Sequence, residues 1–259
     1  MPDAPLLERV HCLWDELAEF EAAKCDVAVR HLLTSVAGLV DAQNAYWLGA
    51  VRLEEDVRDA RLGWRPRILR YLHLSPNDEA YVRDRTRSLI LSPSVDEATV
   101  AQSRLAGSYR AYRLSDLVSR DWFRRESYGA CLGGGVLDFL VVGVPVSKTA
   151  EGYYGFLRTR LNDPFTEAQR NIALYAMRGL TWFHRKVLLS EGLIVAKSPL
   201  SPMERRVLSL LLTEHPEKLI AANLDLAATT LHTYVSDIYR KFGVSGRTGL
   251  TALWLGRQT

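Results

Sequence analysis

Apolar residues recur at spacings of three and four over residues 4 to 40, with Leu6, Val10, Leu13, Trp14 and Leu17 on one side, and this period predicts helix. The pattern then changes. NAYWLGAVRL (44–53) and RPRILRYLHL (65–74) are rich in β-branched or aromatic residues and bounded by turn formers, which predicts strands. Residues 77 to 127 mix helical and loop patterns. Two clearer strands are predicted at VLDFLVVGVPVS (136–147) and GYYGFLRTRL (152–161), joined as a hairpin through KTAE.

A helical stripe returns after DPFTEAQ, where Thr166 is a suitable N-cap and Gln169 stands three residues on, as a capping box requires. Ile172, Ala176, Leu180, Phe183 and Val187 continue that stripe and predict one helix over residues 166 to 189. Roughly 24 residues would span about 36 Å. EGLIVAKSP (191–199) loses the period, contains Gly192 and Pro199, and reads as a linker between a first domain, 1–190, and a second, 200–259.

The second domain opens with LSPMERRVLSLLL, in which Ser201 can cap, Pro202 takes the first helical position and Glu204 can reach back. A short helix is predicted from Glu217 to Leu224, then a tight connection, Asp225 to Ala228, and another helix in TTLHTYVSDIYRKFGV (229–244). Two helices joined by about four residues have helix-turn-helix spacing. On a wheel at about 100° per residue, Leu231, Val235, Ile238 and Phe242 gather on one side. The other side carries Thr229, His232, Thr233, Ser236, Asp237 and Arg240, with Lys241 on its shoulder. Short polar side chains of this kind suit a helix lying in a major groove about 12 Å wide, although a solvated helix face is polar too.

Composition narrows the choice. A chain of 259 residues that is 47% hydrophobic and 24% charged is expected to be a soluble globular protein. MPDAPLLERV has the charges of Asp3, Glu8 and Arg9 where a secretory signal would be apolar, and the apolar-rich run at 136–146 is too short for a membrane helix, so a cytoplasmic location is expected. The net charge of +3 does not announce nucleic acid by itself. Cys12, Cys25 and Cys131 lack metal-ligand spacing and are expected to be buried or half-buried thiols. The six histidines are scattered, and no HExxH, GxSxG or phosphate-cradling loop occurs. No enzyme activity, cofactor or metal is expected.

Residues 200 to 248 resemble the DNA-binding domain of the LuxR family of bacterial transcription regulators, through Leu200, Glu204, Arg205, Val207, Leu208, Leu211, Lys218, Ile220, Ala221, Leu224, Leu226, Thr230, Thr233, Ile238, Tyr239, Arg240, Lys241, Gly243, Val244, Arg247 and Thr248. The resemblance implies an all-α, four-helix domain that binds double-stranded DNA as a homodimer, on inverted-repeat half-sites. It places phosphate contacts on Lys218, Thr230 and Lys241, base-edge contacts on His232, Thr233 and Ser236, and Arg240 on the same groove-facing side. Arg247 either joins them or caps carbonyls of the bundle. Trp254 is the candidate for the two-fold contact.

Some positions depart from the family pattern. Glu214 stands for a Gly, Leu219 for an acidic residue, Ala227 for the Ser that caps the reading helix, His232 for a Lys and Tyr234 for a His. Asp237 adds a negative charge to the groove side. These departures predict modest, strongly salt-dependent DNA affinity. They also motivate an alternative, in which the protein binds DNA poorly and titrates related regulators as heterodimers.

The first domain, with GYYGFLRTRLNDPFTEAQRNIALYAM, resembles GAF-like or PAS-like sensors, which implies an α+β fold with a mixed sheet and packed helices. Its aromatics suggest a pocket for a small apolar or aromatic ligand, with Tyr46, Trp64, Tyr71, Trp122, Phe123 and Tyr128 as candidate lining. Acyl-homoserine-lactone receptors have this domain order and a Trp/Tyr cluster followed by Asp-Pro. That cluster is absent, since the one Asp-Pro pair is Asp163-Pro164 in the hairpin-to-helix turn, so lactone sensing is not expected.

Overall fold

The computed structural model describes residues 4–53, 59–73, 95–119, 121–122, 138–158 and 164–256. Two compact units emerge: Met1–Leu17 with Arg30–Thr181, and Ala18–Val29 with Trp182–Thr259. Phe123, Tyr128, Cys131 and the triplet Gly133 to Gly135 lie outside the described residues.

The stretch predicted as helical from 4 to 40 is two helices, α1 (Ala4–Ala18) and α2 (Cys25–Val40), separated by a 3-10 turn at Ala22–Lys24. No Gly or Pro marks the break, so periodicity alone does not reveal it. Strands β1 (Asn44–Arg52) and β2 (Trp64–Tyr71) follow, then α3 (Glu97–Arg104), β3 (Arg110–Arg113), β4 (Asp138–Ser147), β5 (Ala150–Arg158) and α4 (Glu167–Arg178). The five strands form one sheet in the order β2-β1-β5-β4-β3, and the four pairings are antiparallel. β3 has only four residues, too few for a period to register. The β4–β5 turn is Lys148-Thr149, two residues shorter than KTAE.

Alternation divides the sheet into two faces. Tyr46, Leu48, Phe139, Val141, Tyr153 and Leu157 share one side with α3, while Trp47, Leu140, Val142, Tyr154 and Phe156 occupy the other. β4 and β5 are buried on both sides, which explains why their sequences read as nearly continuous apolar runs. Arg158 ties the end of α2 to β5: its Nη2 donates to the Val40 carbonyl at 2.8 Å and its guanidinium lies 4.6 Å above the Phe165 ring. The α2 carbonyl left over at the helix end is thereby satisfied.

The helix predicted over 166–189 is broken. Thr166 caps α4 with the expected capping box, but α4 stops at Arg178 and α5 begins anew (Thr181–Ser190). Trp14 explains the stop: its indole N–H donates to the Ala176 carbonyl at 2.7 Å, and its ring occupies the space that a Cβ on Gly179 would enter, 2.5 Å away. The apolar stripe is continuous because Leu180, Phe183 and Val187 are all buried, so burial conceals the break from the sequence.

In the second unit α5 is followed by α6 (Pro202–Leu211), α7 (Glu217–Asn223), α8 (Ala228–Phe242) and α9 (Arg247–Trp254). Val207, Leu208, Leu211, Ile220, Leu231, Val235, Ile238, Phe242, Leu250 and Leu253 make the core. The 3-10 turn Ala22–Lys24 packs against α6. Residues 191–199 are irregular but anchored, with Leu193 and Ile194 buried and the Lys197 N–H donating to the Lys241 carbonyl at 2.9 Å. Cys12 is exposed, against expectation, because α1 turns it away from Val10 and Leu13, and Cys25 is half-buried.

Tyr46 sits directly across from Gly155, and a Cβ there would come within 2.1 Å of the tyrosine ring. Gly155→Ala should therefore cost about 1–3 kcal/mol by overpacking. In the Tyr46→Ala background the same change should cost less than it does alone, which denaturant titration of the four proteins in a double-mutant cycle measures.

Candidate functional site

The helix-turn-helix begins at a well-formed cap. The Ser201 hydroxyl accepts from the Glu204 amide at 3.2 Å, and the Glu204 carboxylate accepts from the Ser201 amide at 2.6 Å. Both donors would otherwise be orphans of the first turn. Glu204 also accepts from Lys241 Nζ at 2.7 Å, and Lys241 donates again to the Pro199 carbonyl at 3.1 Å. Burial pushes the Glu204 carboxyl up, but the hydrogen bonds from Lys241 and Ser201 outweigh it and hold the group below its ordinary value.

Arg247 has the structural role. Its guanidinium donates to the carbonyls of Leu211 at 2.7 Å and His215 at 2.8 Å, and also to that of Thr213. One side chain thus fastens α9 to the end of α6 and the turn before α7. Trp254 is likewise turned inward, with 7% of its surface exposed and its ring 5.8 Å from that of Phe242, so it does not offer a two-fold contact.

Helix α8, the second of the helix-turn-helix, buries Leu231, Val235, Ile238 and Phe242, as the wheel predicts. Thr230, His232, Thr233, Ser236 and Arg240 are exposed on α8, and Lys218 is exposed on α7. Lys241 is half-buried in its contact with Glu204. Arg240 is paired too, meeting Asp237 at 2.5 Å, and the His232 ring has its Nδ1 3.7 Å from a Glu217 carboxylate oxygen. The Thr233 hydroxyl donates to the Thr229 carbonyl one turn back at 3.1 Å. Ala227 is the N-cap and supplies no side-chain acceptor, and Thr229 lies inside the helix rather than capping it. Gly243 closes α8 at φ 67°, with the Val244 amide donating to the Tyr239 carbonyl at 3.0 Å.

The first unit contains a cavity of about 110 Å³ between the sheet and α3. Tyr46, Trp64, Tyr71 and Trp122 line it, together with Leu48, Leu69, Phe139, Tyr153, Gln102, Ser103 and Arg61 among others. The Tyr46 and Tyr71 ring centres are 5.7 Å apart, and Phe139 meets Tyr46 edge-on at 6.3 Å. Burial pushes the Tyr153 hydroxyl well above its ordinary value, so it is a neutral donor at physiological pH. Arg61 escaped the sequence reading, because DARLGW looks like a charged surface turn and no period shows which arginine is buried. Gln102 and Ser103 had no signal either. Among the described residues no cluster of His, Cys, Asp and Glu could hold a metal ion, and no helix is long and apolar enough to cross a membrane.

Residues 198–254 match the family model described as GerE, bacterial regulatory proteins, luxR family. The carboxy-terminal bundle is a LuxR-family helix-turn-helix domain. Among curated proteins, the HTH-type transcriptional regulator MalT of Klebsiella pneumoniae (strain 342) is 39% identical over 54 residues, which is 21% of this chain and 6% of MalT. MalT of Cronobacter sakazakii (strain ATCC BAA-894) matches to the same extent. The chain thus covers about 6% of the length of these relatives. Among solved structures, SdiA in complex with octanoyl-rac-glycerol is 14% identical with a TM-score of 0.42, covering 100% of both chains. The VqsR LBD domain from Pseudomonas aeruginosa is 15% identical with a TM-score of 0.45, covering 72% of this chain and 97% of that one.

Two outcomes follow for the bundle. Ala227→Ser restores an N-cap acceptor and should stabilise it by about 1 kcal/mol, read as a higher unfolding midpoint in urea. Glu204, with its native pKa lowered from 4.5, contributes stability that is complete above the unfolded value and is lost as pH falls through the native one. The loss of stability on acidification below about pH 5 should therefore be shallower in Glu204→Gln than in the parent protein.

Proposed function

We propose that this protein regulates transcription by binding double-stranded DNA through α8, under the control of a small molecule or a partner at its amino-terminal domain. In this reading residues 1–190 sense and dimerise, residues 191–199 link, and residues 200–259 read DNA. It acts in the cytoplasm as a homodimer on inverted-repeat half-sites. The observation that carries it is the exposed polar strip of Thr230, His232, Thr233 and Ser236 on the second helix of a LuxR-family helix-turn-helix. Its side chains are short and its opposite side is core, so the strip can enter a major groove without unpacking the bundle. The antiparallel sheet, covered on both faces and holding an aromatic-lined cavity, supports a GAF/PAS-like sensor for a small apolar or aromatic molecule. An effector acts by binding two arrangements of the protein with different affinities.

A second reading is favoured by the paired charges on α8. Arg240 is held by Asp237, Lys241 by Glu204, and His232 faces Glu217. A surface with its cations engaged in this way attracts phosphate weakly, as expected of a protein that titrates related regulators as heterodimers.

Selection from a pool of random duplexes, at low and at moderate salt, separates the two. A DNA reader should enrich one motif with two-fold symmetry. Thr233→Ala and Ser236→Ala should relax preference at individual base pairs, each by about 1–3 kcal/mol at most, whereas Lys218→Ala should weaken all sequences alike and lower the salt slope by about 1. Enrichment of no motif by the folded full-length chain would leave the titration reading in its place.

A further inference from the structure

Arg61 stands in the wall of the aromatic cavity and is 5% exposed. Its Nε has no hydrogen-bond partner, and no carboxylate among the described residues lies within ion-pair distance of its guanidinium. The nearest candidate is otherwise engaged. The Asp59 carboxylate accepts from the backbone amides of Arg61 at 3.1 Å and Gly63 at 2.8 Å, and from Arg65 Nη1 at 2.7 Å. Asp59 therefore shapes the turn that carries Arg61 and does not neutralise it by contact. Burial, and then the like charge of Arg65, push the Arg61 pKa down, while Asp59 and Asp96 oppose this through space. The guanidinium remains a cation under any physiological condition.

The turn that presents this side chain is built with unusual backbone. Leu62 has φ 50° and Gly63 has φ 83°, and Arg52 Nε donates to the Leu62 carbonyl at 3.0 Å. A left-handed leucine is uncommon and persists where its surroundings hold it. Asp59 and Arg52 supply that hold. Arg61 is thus fixed at the cavity by a small framework of its own, on β2's approach, opposite the aromatic rings of Tyr46, Tyr71 and Phe139.

A buried cation without a contacting anion is costly, and a guanidinium fork matches a carboxylate with two parallel hydrogen bonds. We infer that the cavity takes a small organic acid, with its carboxylate on Arg61 and its aromatic or alkyl body among Tyr46, Trp64, Tyr71 and Phe139. Gln102 and Ser103 on α3 supply neutral polar contacts nearby. A neutral ester, lactone or amide offers Arg61 a carbonyl without the charge, and is the weaker ligand. This inference rests on the reading of the amino-terminal unit as a sensor and names the chemistry of what it senses.

The test uses the full-length chain in two measurements. In calorimetric titrations 2-naphthoate and octanoate are each compared with their primary amides. At least one acid should bind about tenfold or more tightly than its amide, and Arg61→Met should abolish that preference. The two probes distinguish an aromatic from an alkyl body. Equal binding of acid and amide, or millimolar-range failure of both acids, overturns the inference. The second measurement needs no ligand. Arg61→Met removes an unpaired buried charge, so the ligand-free variant should unfold about 2–4 °C higher than the parent, the pattern of a site that trades stability for function. A lower unfolding temperature would show Arg61 to be a structural group and would also overturn the inference. Selection of a DNA motif is scored separately, so acid binding without any effect on DNA refutes the sensor reading while leaving the cavity assignment standing.

Discussion

The Glu204 carboxylate is the point on which the carboxy-terminal bundle turns. One of its oxygens accepts from the Ser201 amide and from Lys241, so the first turn of α6 and the last turn of α8 share one anion. The backbone repeats the connection, with Lys241 donating to Pro199 and its carbonyl accepting from Lys197. A charge pair this buried contributes through its geometry, because desolvation cancels much of the attraction when hydrogen bonds are not also formed. Here they are. The consequence is that the C-terminal end of α8 is set by the segment that leads into the bundle.

Buried arginines serve opposite purposes in this protein. Arg247 spends its donors on carbonyls of Leu211, His215 and Thr213, and Arg158 spends one nitrogen on Val40 and Asp41. Arg110 pairs with Glu151. Each removes a cost that the fold would otherwise carry: Arg247 and Arg158 satisfy carbonyls of helix ends and loops, and Arg110 neutralises a buried carboxylate. Arg61 has no such duty. Its backbone is anchored through Asp59 while its guanidinium, beside an aromatic wall, meets neither a carbonyl nor a carboxylate among the described residues, and that contrast separates a side chain that holds the fold from one that waits on it.

Most of the bundle was legible in the sequence, because its determinants are local. Ser201, Pro202 and Glu204 sit within four residues, and the buried set Leu231, Val235, Ile238 and Phe242 obeys one period. Four of the five strands were legible to within two or three residues for the same reason, while the four-residue β3 was not. What failed to appear depends on partners far along the chain. Trp14 and Gly179 end α4 across 165 positions of sequence, and the stripe of buried residues runs on unbroken beyond them. Trp254, the candidate for a two-fold contact, packs against Phe242, and Arg61, which no sequence period singles out, stands in the wall of the cavity between the sheet and α3. Four of the six aromatics proposed for the pocket line the cavity; strict alternation would set Trp64 and Tyr71, seven residues apart on β2, on opposite faces, and the register shift opposite Gly49 and Ala50 brings both to the cavity side. The polar members of that wall belong to loops and a short helix, where no period exists to read.

The charge pairs along α8 bear on how such a surface could be selective. A free lysine or arginine gains affinity from any phosphate, whatever the sequence beside it. Where Arg240 already holds Asp237 and Lys241 already holds Glu204, engaging a phosphate requires giving up an existing partner, so the sequence-independent gain is reduced. Thr230, Thr233 and Ser236 carry no such obligation to a charge, and hydrogen bonds from neutral hydroxyls to base edges discriminate without adding general attraction. On the function proposed above, a single domain of this kind would bind DNA weakly. Two held at the spacing of two half-sites would recover affinity through effective concentration rather than through new contacts, which would make occupancy of DNA depend on the pairing of two copies. Under the proposed function, control of pairing by the amino-terminal unit would then be sufficient to control binding, with no change needed in α8 itself.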